Sequence, residues 1–156
     1  MRQTNICFLV RDNMVLLGMK KRGFGAGKWN GFGGKLEPGE DPVAAVIREL
    51  REEAGVEVLV SDLRDHGELT FRFRGHADWD NRCRVFVAER WSGDPSESEE
   101  MRPAWHPVHE LPFASMWVDD PHWVPLVLAG KKIRAEFLFG PAGDLIEDIT
   151  LEEVPA

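Results

Sequence analysis

Between Asp41-Pro42 and Gly55 the sequence can form little other than one helix, and that helix sets a layer against which the rest must pack. Asp41 precedes a proline, which biases it to extended geometry and suits it to N-capping, while Pro42 suits the first helical position. Gly55 stands where a left-handed C-cap belongs. Val43, Val46, Ile47, Leu50 and Ala54 fall at i, i+3, i+4, i+7 and i+11, one apolar stripe. At 100° per residue Glu49, Glu52 and Glu53 lie on the opposite side, within an arc of about 100°. Like charges at this spacing cost about 0.2–0.5 kcal/mol per pair, and the helix dipole disfavours them in the last two turns. Arg48, four residues before Glu52, offsets one such term.

A solvated acidic face is the plain reading of that crowding, but a second feature favours a chemical one. The glycine-dense stretch "GFGAGKWNGFGG" (23–34) runs into the same helix, so backbone there turns sharply or approaches something closely. Convergent carboxylates with open oxygen sites are what a hard divalent cation requires, and Mg²⁺ typically keeps phosphate oxygens among its ligands. The pattern predicts a metal site.

The remaining elements are shorter. Ile6 to Val10 and Val15 to Leu17 read as strands of a hairpin turning at Arg11-Asp12-Asn13. Val56, Val58 and Val60 alternate with polar residues, as do Leu69, Phe71 and Phe73, so both stretches are expected as strands. Arg84 to Ala88 is another, residues 93–103 are a polar acidic loop, and Ile133 to Phe139 with Leu145 to Leu151 form a closing hairpin. A second helix is expected from Pro121, capped by Asp120, to just before Gly130. Strands, a helix, more strands and a helix argue an α+β fold with a mixed sheet, in one domain over residues 1–156.

The net charge of −8 repels nucleic acid, so a phosphate-bearing ligand needs a metal or a local basic patch. No secretory h-region opens the chain and no apolar run reaches the roughly 18 residues of a membrane span. Cys7 and Cys83 lie far apart in strand-like stretches and read as reduced core thiols. The expectation is a cytoplasmic monomer with a small-molecule partner and neither nucleic acid nor membrane.

From Gly34 through Glu40 to Arg48-Glu49-Leu50, Glu52-Glu53 and Gly55-Val56, nine positions over twenty-three residues reproduce the Nudix box, and the chain resembles that family. The resemblance implies an α/β/α sandwich and hydrolysis of a nucleoside diphosphate linked to another group, with Mg²⁺ or Mn²⁺. It assigns metal binding to Glu49, Glu52, Glu53 and the Gly33 carbonyl, an orienting salt bridge to Arg48, and an outer role to Glu40. "GMKKRGFGAGKWNGFGGK" (18–35), "EEMRP" (99–103) and "MWVDD" with Trp123 look like the MutT-homologue subfamily, which hydrolyses oxidised purine nucleoside triphosphates such as 8-oxo-dGTP and 2-hydroxy-dATP. Asn5 stands at a base-pocket position often filled by threonine in that subfamily, and the stretch at 75–82 carries an extra residue.

Breaking a phosphoanhydride requires a positioned water, relief of phosphoryl charge and a base. Glu53 is the preferred base, with Glu100 of the 93–103 loop as the other candidate for base or ligand. Lys20, Lys21, Arg22, Lys28 and Lys35 are the one basic concentration, where a triphosphate needs it. Asn30 has an amide able to pair with a purine edge, although Asn30-Gly31 is also a turn dipeptide. Asp119 and Asp120, flanked by Trp117 and Trp123, cannot both ionise easily in an aromatic pocket, so one carboxyl donates and one carboxylate accepts. Trp117 is expected to stack on the base, and Phe71, Phe73, Met101 and Phe139 to line the pocket. A Nudix pyrophosphatase of broader specificity and a catalytically silent nucleotide-binding module are the competing readings.

Overall fold

The computed structural model describes residues 1–155. Its order is β1 (Arg2–Arg11), β2 (Met14–Lys20), β3 (Trp29–Asn30), β4 (Phe32–Lys35), α1 (Pro42–Ala54), β5 (Leu63–Phe73), β6 (Asn81–Ala88), β7 (Met101–Pro107), α2 (Asp120–Leu128), β8 (Lys132–Phe139) and β9 (Ile146–Val154). The strands join in one mixed sheet in the order β3-β2-β1-β6-β5-β8-β9, with β7 on the other edge of β2 and β4 beside β1. β1–β6 and β5–β8 are parallel and the other pairs antiparallel. One edge of β1 is divided: Thr4–Cys7 pair with β4, and Leu9–Arg11 pair with β2. The β1–β2 turn places Asp12 and Asn13 at φ 54° and 60°, the left-handed region both residues tolerate well.

Alternation along the strands feeds two cores. Ile6, Phe8, Val15, Leu17, Leu69, Cys83 and Val85 face α2 and pack with Trp123, Val124 and Val127. Cys7, Leu9, Leu16, Phe32 and Phe86 face α1 and meet Val46, Leu50 and Ala54. Because helices cover both faces of β1, Cys7, Phe8 and Leu9 are all fully buried in succession. Cys7 and Cys83 are free thiols on opposite faces.

α1 forms as its sequence predicts. The Asp41 carboxylate accepts the Ala44 N–H at 2.8 Å, and Gly55 at φ 72° donates its N–H back to the last turn. Three expectations are corrected. Residues 56–60 form no strand: Val56 and Val58 are buried under α1, but only Glu57 bridges, to Ser92, and Val60 opens a 3₁₀ turn. α2 begins at Asp120 itself, so Asp120 caps nothing and its side chain is spent elsewhere. The glycine-dense loop and the 93–103 segment also contain or run into short strands, β3, β4 and the start of β7.

At the β5 bulge, Gly67 sits at φ 110°, and a β-carbon there would lie 1.7 Å from the Ile133 carbonyl oxygen. Gly67→Ala is expected to cost at least about 1–3 kcal/mol in chemical denaturation, through a strained φ and a pried β5–β8 ladder. An unchanged denaturation midpoint refutes this.

Candidate active site

α1 turns Glu49 and Glu53, four residues apart, toward β4. Glu53 is buried and accepts the Gly33 N–H at 2.9 Å, and Glu49 lies against Gly34, where a β-carbon would sit 3.0 Å from Oε1. Gly33 is required by its neighbour as well, since a β-carbon there would lie 2.0 Å from the Asn5 carbonyl oxygen. Burial first, and the Glu49 charge second, push the Glu53 carboxyl up to about 8. Burial also raises Glu49, partly opposed by Arg48.

Arg48 organises the outer side. Its guanidinium holds Glu40 through two bonds, at 2.8 and 3.0 Å, and also donates to Glu49 at 3.1 Å and Glu52 at 3.2 Å. The fork, with the Glu37 N–H, holds the Glu40 carboxyl down at about 2. Glu52 remains more than half exposed. Glu100 accepts from Arg22 at 2.7 Å, which lowers its pKa, although it still adds to the field at Glu53. The structure thus brings Glu49, Glu53 and Gly33 together, with Glu52 and Glu100 turned to arginines. Among the described residues no three carboxylate, histidine or cysteine side chains form a ready metal cluster. The donor set still fits a hard cation chemically: buried Glu53 and partly buried Glu49 crowd each other with Arg48 to balance them, and every donor is oxygen.

Of the basic residues, Lys21 pairs with Glu97 and Arg22 with Glu99 and Glu100. Lys20, Lys28 and Lys35 make no ion pair among the described residues, and Lys20 acts on Glu53 through space.

The aromatic pocket lies on the α2 face. Asp119 and Asp120 are both buried; the Asp119 carboxylate accepts the Trp123 indole N–H at 2.8 Å, and Asp120 accepts the Trp117 N–H at 3.1 Å. Burial raises both carboxyls, and the Asp119 charge lifts Asp120 further. Asp119, favoured by the indole donor, is the ionised partner and Asp120 holds the proton. Trp123, itself fully buried, therefore orients Asp119 from the core. Phe71 stacks on Phe137 at 5.8 Å and Phe73 on Phe139 at 5.0 Å, forming an aromatic wall.

Several predicted pocket residues are placed differently. Met101 packs with Phe32 in the α1-face core, away from that wall. Asn5 shares the α1 face with Cys7 and Leu9; its side chain is buried against Gly33 with both amide atoms unpaired. Asn30, the second residue of β3, accepts the Gly31 N–H on its side-chain carbonyl at 2.9 Å. Trp117 is stacked at 5.1 Å by Phe24, with Lys28 5.2 Å from its ring centre. Phe24, largely exposed between two glycines of positive φ, escaped the sequence reading. An aromatic held out between Gly23 and Gly25 is the signal that could have found it.

A carboxylate held by a glycine-loop N–H thus lies beside an arginine clamped by an upstream glutamate. Residues 1–127 match the NUDIX domain, and the chain belongs to the Nudix family. It is 44% identical over 149 residues to the oxidized purine nucleoside triphosphate hydrolase of Danio rerio, covering 96% of this chain and 93% of that one. The mouse protein of the same name is 43% identical over 153 residues, with 98% and 96% covered. A crystal structure of a MutT protein from Bacillus halodurans superposes with a TM-score of 0.83 at 24% identity, covering 97% of this chain and 98% of that one.

The carboxyl pair makes a stability prediction. A carboxyl raised in the folded state stabilises it below the unfolded pKa of about 4, and that contribution is lost as pH rises through the folded value. Asp120→Asn removes the loss, so its Tm relative to wild type is expected to be higher at pH 8 than at pH 5. A Tm difference independent of pH refutes the protonated assignment.

Proposed function

We propose that this chain hydrolyses oxidised purine nucleoside triphosphates, with 8-oxo-dGTP and 2-hydroxy-dATP as substrates, to a nucleoside monophosphate and pyrophosphate. The observation that carries this reading is the buried Asp119–Asp120 pair, held by Trp123 and Trp117 and raised by burial, beside an aromatic wall. Such a pair offers a donor and an acceptor to a purine and can exchange them between oxidised guanine and oxidised adenine. The family, and two relatives bearing the activity in their names over nearly the full length, support the same reading.

Glu49, Glu52, Glu53, Glu100 and the Gly33 carbonyl would hold Mg²⁺ or Mn²⁺, which would supply relief of phosphoryl charge and an activated water. Glu53 is the general base: it is buried, the Gly33 N–H fixes its carboxylate, and in that role it would leave the tight metal contacts to Glu49, Glu52 and Glu100. Arg48 orients Glu49 and Glu52 while Glu40 anchors it. Lys20 and the unpaired lysines attract the triphosphate, and Trp117 packs against the base with Phe24 behind it. The residues form one domain, and our reading makes it a monomer of the cytoplasm. Among the described residues no helix is long and apolar enough to cross a membrane.

Steady-state kinetics on 8-oxo-dGTP beside dGTP are the test, and equal kcat/KM for the two sinks the sanitising role. Glu53→Gln is expected to lower kcat by at least about a hundredfold. Asp119→Asn is expected to lower kcat/KM for oxidised purines by about tenfold or more, roughly 1.4 kcal/mol of transition-state binding. A variant at Glu53 as active as wild type, with no pyrophosphate released by either, is the signature of a silent binding module.

A further inference from the structure

A polar pair lies on the α2 face of the sheet beside the carboxyls. Thr4 of β1 and Asn81 of β6 share the face of Ile6, Phe8, Cys83 and Val85. The Thr4 hydroxyl donates to the Asn81 carbonyl oxygen at 3.1 Å, and the Asn81 amide nitrogen donates to the Trp79 carbonyl at 3.3 Å. In register, Thr4 stands opposite Cys83, and Asn81 opposite Phe71 of the aromatic wall. Cys83 stands in register with Thr4 and belongs to the same core cluster as Trp123, whose indole holds Asp119. Carboxyls, thiol, hydroxyl and amide thus lie on the α2 side of the sheet.

That patch is not saturated. Asn81 can make four hydrogen bonds and makes two, leaving one amide proton and one carbonyl lone pair; the Thr4 oxygen keeps its acceptor sites. Both residues are only partly buried, so these groups are open to a ligand. In a wall otherwise built of Phe71, Phe73, Phe137 and Phe139, packing alone gives no reason for an amide.

We propose that Thr4 and Asn81 read a second edge of the purine, the imidazole edge, while Asp119 and Asp120 read the pyrimidine edge. This rests on the nucleotide reading above and adds the contact that separates substrates. 8-Oxoguanine presents an N7–H donor and an O8 acceptor along that edge, matching the free acceptor and donor of Asn81. 2-Hydroxyadenine carries its oxidation on the opposite ring and gains nothing there. Thr4 acts as a positioning residue, fixing the amide plane from behind.

Isothermal calorimetry of 8-oxo-dGMP and 2-hydroxy-dAMP binding to wild type, Asn81→Leu, Thr4→Val and the double variant tests this. Each single variant is expected to weaken 8-oxo-dGMP about fivefold, the size of one neutral hydrogen bond, with 2-hydroxy-dAMP within twofold of wild type. The double variant is expected to add little, because both changes break one unit. Equal losses for both ligands, or no loss for either, overturn the proposal; if Asn81→Leu does not fold, Thr4→Val decides alone. Wild-type protein that binds neither monophosphate removes the nucleotide reading itself, a result distinct from an unchanged ratio.

Discussion

The guanidinium of Arg48 reaches Glu40, Glu49 and Glu52 at once, and it offsets the crowding of like charge at the end of α1. Three glutamates within five residues, at the negative end of a helix dipole, repel one another and the backbone carbonyls. One bidentate clamp onto Glu40 locks the arginine, and the locked arginine then supplies positive charge where the helix lacks it. The glycine loop completes the arrangement from the other side by giving Glu53 a backbone donor fixed by the β1–β4 pairing. Neither device contributes much to stability on exposed surfaces. Their role is to keep carboxylates close together that would otherwise turn into solvent.

How much of this was legible in the sequence depends on whether each signal was local. α1 was, because the cap, the first-turn proline, the stripe and the terminal glycine are all read within fifteen residues. β3 and β4 were hidden, because they are two and four residues long within a glycine-dense stretch and their pairing partners lie in β1 and β2. Val56, Val58 and Val60 alternate like a strand, yet burial under a helix selects the same pattern, and a single bridge is all that forms. Asp120 illustrates the converse. Its position before Pro121 is a sound capping signal, but the pocket formed with Trp117 and Asp119 claims the carboxyl first.

The same division runs through the site. Glu49, Glu53, Gly33 and Arg48 come together as their spacing requires, since all belong to one loop and one helix. Residues from distant strands fared less well. Met101 and Asn5 carry suitable side chains, but strand alternation turns both to the α1 face, and no composition argument supplies that parity. Phe24 and the Thr4–Asn81 pair went unseen for the reciprocal reason: their company is set by folding alone.

The divided edge of β1 has a metrical consequence. Gly33 and Gly34 of β4 lie on one side of residues 4–6, and Cys83 of β6 lies on the other. β4, β1 and β6 thus lie side by side, about 5 Å per strand, with α1 and α2 on opposite faces of them. Backbone hydrogen bonds hold that arrangement, so replacing a side chain can alter what either face carries without altering where the two helices stand.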